Sequence, residues 1–230
     1  MTQMVRIRID VPTMYQHLKQ HRLPLHASDD GYRVHAYLQE VFDGKAPTPF
    51  RIVKGRGREI DVLAYTEADL KPVSSDVAVA TKLLPTKWPK GHRFAFEVVC
   101  CPVVRMASSS ERFKKGAEVD VFLRECWRQG PNAIIDRTEI YTAWLRDKLA
   151  AQGGAAIDAC QVVRYQRTKL LRKTQGSIRK SHQSDKPAVE FTGVLEIQDS
   201  DKFLSLIQRG IGRHRGFGFG MLLVKRVTRG

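Results

Sequence analysis

The chain lacks the marks of several large protein classes. No uninterrupted apolar run approaches membrane-spanning length, and Met1 to Asp10 has no signal-peptide core. A cytoplasmic protein with no membrane partner is therefore expected. Cysteine is scarce, with only Cys100, Cys101, Cys126 and Cys160. None forms a Cys-x-x-Cys pair, and adjacent Cys100 and Cys101 would point to opposite faces of a strand. They read as reduced structural thiols. No carboxylate pair or other metal-ligand cluster stands at motif spacing, so neither a metal nor a cofactor is expected. No Gly-Lys-Ser/Thr follows a glycine-rich stretch, which excludes a Walker loop. Low-complexity segments and short repeats are missing as well.

Negative charge is also in short supply. The 230 residues hold 39 Lys plus Arg against 24 acidic side chains, a net charge of +15. Such a balance attracts polyanions and says nothing about fold. Nucleic acid is the first candidate, an anionic membrane surface the second. The deficit is sharpest from Gln161 to Ser184, where no Asp or Glu occurs and Arg164, Arg167, Lys169, Arg172, Lys173, Arg179 and Lys180 are basic. A hairpin carrying that charge would lie along a nucleic-acid backbone and, being exposed, contribute little to a core. The alternative is a solvated face.

Glycine, by contrast, is concentrated. Gly210, Gly212, Gly216, Gly218 and Gly220 share eleven positions with Arg213, His214 and Arg215, and Met221 to Val227 follows as a strand. Successive amide groups in such a loop can form an anion-binding concavity. A flexible surface loop is the competing reading. The spacing does not fit a dinucleotide fingerprint.

A length of 230 residues suits one large domain or two small ones. Val5 to Val11 alternates apolar and polar, a strand with Arg6 and Arg8 outward. A short helix and a loop follow over 12–30. Asp29 and Asp30 then cap a helix whose stripe is Val34, Leu38, Val41 and Phe42. Tyr32 and His35, three apart, share a neighbouring face. Strands are expected at 50–53 and 59–65 around a basic tip at 54–58, then a short helix and a short strand within 67–90. The second half reads as a strand at 93–101, an excursion over 108–132 with a helix near 119–128, and a helix capped by Asp136. Strands at 157–165 and 188–197, a helix from Asp199 or Ser200, and the closing strand complete it. Each half is compatible with β-α-β-β-α-β, two tandem ferredoxin-like domains of the α+β class at 1–90 and 91–230.

Histidine suits acid–base work near neutrality, though His35 alone also reads as a packing residue. Three stretches widen the picture. Tyr32-Arg-Val-His35 opens a helix. Ala188-Val-Glu-Phe-Thr-Gly-Val-Leu-Glu-Ile197 contains Phe-x-Gly-x-Leu. Ser205-Leu-Ile-Gln-Arg-Gly-Ile-Gly212 runs into Gly216-Phe-Gly-Phe-Gly-Met-Leu222. With fainter matches at Pro72 to Ser75 and Tyr141 to Leu145, the chain resembles the CasE family almost end to end. Those proteins are the repeat-RNA endoribonucleases of type I-E CRISPR systems. Residues 108–132 exceed the family's pattern, as a divergent branch, including those serving type IV effector complexes, would show.

The resemblance implies tandem ferredoxin-like domains that bind the hairpin of CRISPR repeat RNA and cut precursor crRNA at its base without a metal. A 2′-OH would attack the adjacent phosphate, leaving a 2′,3′-cyclic phosphate and a 5′-OH. His35 would transfer the proton and Tyr32 would orient ribose or phosphate. The basic hairpin would grip the stem, and the glycine loop, near the first domain, would hold RNA or shape the cleft. The product would stay bound among the other subunits of a CRISPR effector complex. The alternative from another class is a non-catalytic subunit that binds RNA hairpins.

Overall fold

Strict alternation builds the first strand. The computed structural model of the protein describes residues 1–21, 30–55, 57–73, 77–173 and 181–227. In β1 (Gln3–Asp10) Val5, Ile7 and Ile9 are fully buried, while Arg6 and Arg8 face out toward Asp61 and Glu59. Asp10 ends the strand by capping α1 (Val11–Gln20), its carboxylate accepting from the Thr13 amide at 3.1 Å and hydroxyl at 2.7 Å. Then come α2 (Asp30–Val41), β2 (Phe50–Lys54), β3 (Glu59–Thr66) and β4 (Ala78–Leu83). The sheet order is β2-β3-β1-β4, all neighbours antiparallel. Met14 and Leu18 of α1, with Val34, Leu38 and Val41 of α2, cover the buried face of β1.

That order is the ferredoxin-like one, with two departures. A pair of helices fills the first crossover. The short helix expected within 67–90 does not form among the described residues, where only β4 is regular. Pro72, Pro85 and Pro89 explain this, since each fixes φ and removes a donor.

The second sheet begins with β5 (Arg93–Cys100), followed by β6 (Val103–Arg105), β7 (Glu118–Asp120) and α3 (Val121–Gln129). Next are α4 (Arg137–Gln152), β8 (Ala155–Lys173), β9 (Ser181–Ile197), α5 (Ser200–Arg209) and β10 (Leu223–Arg226). The order β10-β5-β9-β8 repeats the ferredoxin-like plan. Asp136 and Asp199 cap α4 and α5 as expected. The excursion forms a two-stranded ribbon, β6 with β7, leading into α3. No helix among the described residues is long and apolar enough to cross a membrane. All four cysteines are free, and Cys100 and Cys101 enter different apolar clusters.

The long hairpin departs from expectation. It is not merely an exposed charged arm, because Leu170 and Leu171 are buried. Leu170 packs with Cys101, Val103, Ala188 and Phe219, so the hairpin shares a small core with the excursion and the glycine loop. Arg179 and Lys180, with Asp29, Arg56 and Ser74-Ser75, lie outside the described residues.

Candidate catalytic cleft and nucleic-acid interface

Helix α2 presents Tyr32 and His35 on the face that meets the glycine-rich stretch. Residues 215–217 form a single 3₁₀ turn whose Phe217 ring lies 5.3 Å from the ring of His35 and 6.4 Å from that of Tyr32. The contact depends on Gly31. A Cβ there would stand 2.3 Å from the Phe217 carbonyl oxygen, so only glycine lets helix and turn touch. Gly216 leaves space beside His35, whose Nδ1 and Cε1 lie 3.5 Å from where a side chain would begin.

The 210–220 stretch is a built loop and not a loose one. Ile211 donates its amide to the Gly220 carbonyl at 2.8 Å, and the Gly220 amide bonds Val99 at 2.7 Å. Gly220 holds φ at +78° with the Ile211 carbonyl 2.3 Å from a would-be Cβ, which excludes any side chain. Ile211, Phe219, Met221 and Leu222 are buried. With the Gly210 amide bonded to Leu206 and the Phe217 amide to His214, four of its backbone donors are spent within the protein. The positive charge that the loop offers a ligand comes instead from side chains.

Burial sets the chemistry of the pair on α2. Desolvation lowers the His35 pKa below its ordinary 6.5, favouring the neutral imidazole near pH 7. Its Nδ1 is buried and has no hydrogen-bond partner among the described residues. Desolvation also raises the Tyr32 pKa, keeping a phenol that can donate. A neutral imidazole with an uncommitted nitrogen can accept a proton.

Beside Gly216 opens a groove of about 500 Å³, lined by Thr48, Gln208, Arg209, Arg213 and Arg215 among others. A second groove of about 530 Å³ shares Arg209, Arg213 and Arg215 and adds Arg105, Arg124 and Lys148. Among the described residues no acidic side chain lines either. Arg209, Arg105, Arg124 and Lys148 escaped the sequence reading because they are scattered over four helices and strands. The convergence of α5 and the excursion on the loop has no local signature.

Of the loop cations, Arg213 and Arg215 are exposed, while His214 is buried and held at φ +61°. Glu118 of β7 holds this corner. Its Oε1 accepts from Arg213 Nε at 2.6 Å, and its Oε2 lies 2.8 Å from His214 Nε2 and 3.3 Å from Lys186 Nζ. The hydrogen bond with His214, foremost, and the nearby Lys186 and Arg213 hold the carboxyl far below its ordinary range despite burial. Two residues on, Asp120 accepts from the Tyr141 hydroxyl at 3.0 and 3.1 Å. The excursion thus braces the glycine loop against β9 and α4. Along β8, Arg164, Arg167 and Lys169 are exposed, with Glu190 3.8 Å from Arg164.

The model of the CRISPR associated protein family matches residues 4–226. The chain belongs to that family. No curated protein is significantly similar to it in sequence. Among solved structures, this family member resembles a CRISPR endoribonuclease Cse3 bound to a 19-nucleotide RNA, with 19% identity and a TM-score of 0.64. The match covers 96% of this chain and 99% of that one. Cas6e from Escherichia coli str. K-12 gives 19% identity and a TM-score of 0.64 over 98% and 100% of the two chains. A chain of a CRISPR RNA-guided surveillance complex gives 20% and 0.58 over 98% and 100%. At these identities the likeness establishes the fold, two ferredoxin-like sheet units of the kind the motifs implied.

Proposed function

We propose that this family member binds the hairpin of CRISPR repeat RNA and cuts precursor crRNA at the hairpin base. The observation that carries the reading is His35. Its desolvated imidazole, with Nδ1 unbonded among the described residues, sits behind Gly216 at the edge of a groove lined by Arg209, Arg213 and Arg215. The arginines would hold the scissile phosphate and offset charge developing on it. His35, neutral at pH 7, would take the proton from the ribose 2′-OH, and Tyr32 would orient the ribose or the phosphate. Attack of that oxygen on the adjacent phosphorus breaks the bond to the 5′-oxygen, which takes a proton from solvent or from the imidazolium, leaving a 2′,3′-cyclic phosphate and a 5′-OH. The substrate supplies its own nucleophile, so the chemistry needs no metal-activated water.

The stem would follow the exposed Arg164, Arg167 and Lys169 of β8. The solved likenesses include an RNA-bound endoribonuclease and a chain of a surveillance complex, which supports retention of the product among other subunits of such a complex. On this reading the protein acts in the cytoplasm as two tandem domains, 1–90 and 91–230.

A repeat RNA with one 2′-deoxy sugar just upstream of the cut tests the reading. It should bind and stay whole, while the all-ribose RNA is cut once in EDTA and ends in a cyclic phosphate. Cleavage of the deoxy RNA would overturn the mechanism. Tight binding of the all-ribose RNA without any cut would make the protein a non-catalytic hairpin-binding subunit.

A further inference from the structure

We propose that His17, His21 and Glu40 form a binding site for a divalent transition-metal cation of the zinc class that ties α1 to α2. The two histidines stand four apart at the end of α1, so they share one face, with ring centroids 4.3 Å apart. Glu40 comes from the last turn of α2. One donor atom from each residue lies within 4.8 Å of the other two.

Geometry and chemistry both favour the cation. With bonds of about 2.0–2.1 Å, tetrahedral zinc spaces its ligands by roughly 3.4 Å. Closing the present cluster onto an ion takes shifts of about 1 Å, which the exposed side chains of His21 and Glu40 can make. His17 is the fixed partner. Its ring meets the edge of Tyr37 at 5.4 Å, and its Nε2 is buried with no hydrogen-bond partner among the described residues. Two imidazoles and a carboxylate make a donor set that suits zinc, with a water completing the four.

The ion would act as a clamp. Glu40 is five residues past His35, about 140° round the helix, so the site and the cleavage pair occupy different faces of α2. Joining the ends of α1 and α2 would steady the helix that carries Tyr32 and His35 without touching RNA.

Titration of Zn²⁺ into the full-length, EDTA-dialysed protein without RNA, followed by calorimetry, tests this directly. One ion per chain should bind and raise the melting temperature. His21→Ala and Glu40→Gln, both at exposed positions, should each weaken binding more than about 100-fold, because even outer-shell partners are worth 10–100-fold. Co²⁺ should give tetrahedral visible bands without a thiolate charge-transfer band. No binding, or full-affinity binding kept by both variants, would overturn the site. Cleavage of repeat RNA should persist in EDTA below the melting temperature of the metal-free protein. Loss of cleavage that Zn²⁺ restores would overturn metal-free cutting while leaving the site intact.

Discussion

His35 is where one residue's surroundings define a task. Its Nδ1 has lost water and gained no partner among the described residues, and burial has moved its pKa down. His35→Ala should leave RNA affinity nearly unchanged and slow single-turnover cleavage by about 10²–10⁴, the usual span for a positioned acid or base. Near wild-type rates would refute the assignment. Because burial favours the neutral base, the acidic limb of kcat/KM against pH should fall below the ordinary histidine value of 6.5. A limb at or above that value would contradict a base so desolvated. Glu118 is the other residue with an outsized part. Its side chain is about one-tenth exposed, and removing its charge strands His214 and Lys186 in a dry corner. Glu118→Gln should destabilise the protein by about 3 kcal/mol, the lower end for breaking a buried charge network. Since the folded pKa is depressed, this contribution is complete above about pH 4.5 and is lost as pH falls further. Urea denaturation of both proteins at pH 7 and pH 3.5 checks the sign, and the gap between them should narrow at the lower pH.

At the scale of elements, two packing relations carry the site. The first is α2 on the 215–217 turn. Gly31→Ala places a methyl 2.3 Å from a backbone oxygen, so helix and turn must separate. Overpacking of this kind costs about 1–3 kcal/mol. Cleavage should slow while RNA binding persists, and unchanged rates would show that this contact does not position His35. The second relation is the hairpin. Each cation on a phosphate contributes about 0.7–0.9 to the slope of log K against log salt. Replacing Arg167, Lys169, Arg172 and Lys173 by Ala should flatten the slope by up to about three units. Unchanged affinity and slope would move the RNA path to the grooves around Arg209, Arg213 and Arg215.

The same elements show what the sequence could tell. β1 was plain from its alternation, and α4 from Asp136 and its apolar stripe. β8 and β9 run well past the strands expected at 157–165 and 188–197, because charge masks the apolar Leu170 and Leu171. The glycine motif marked where the loop is, and glycine spacing gave no hint that Phe217 reaches α2. Glu118 was invisible, since its partners lie 68 to 96 residues away and nothing local distinguishes one glutamate from another. The pair His17 and His21 had a legible signal, the spacing of four, but its third partner Glu40 lies on another helix, which no local spacing reveals.

Across the whole molecule, the question is whether two ferredoxin-like sheets behave as two stability units or one. Tyr65 belongs to the first sheet, yet its ring lies in the core of the second, and its buried hydroxyl donates to the Leu222 carbonyl at 2.9 Å. Gln208 of α5 donates to Thr2 at 2.7 Å and Glu67 at 2.9 Å, and Arg51 of β2 pairs with Glu190 of β9. Phe217 adds the contact with α2. These ties join the first sheet and α2 to β9, the last helix and the loop, so neither unit can open without uncovering the other's core. Differential scanning calorimetry of the full chain without RNA should therefore show one transition, with calorimetric and van't Hoff enthalpies equal. Tyr65→Phe leaves the Leu222 carbonyl without its donor, at a cost of about 1–2 kcal/mol. For a chain of this length that lowers the melting temperature by roughly 2–8 °C. The transition should remain single, because the remaining ties persist. Two resolved transitions in the wild type would mean that the sheets unfold separately, and the cleft between His35 and the arginines would then open whenever either did.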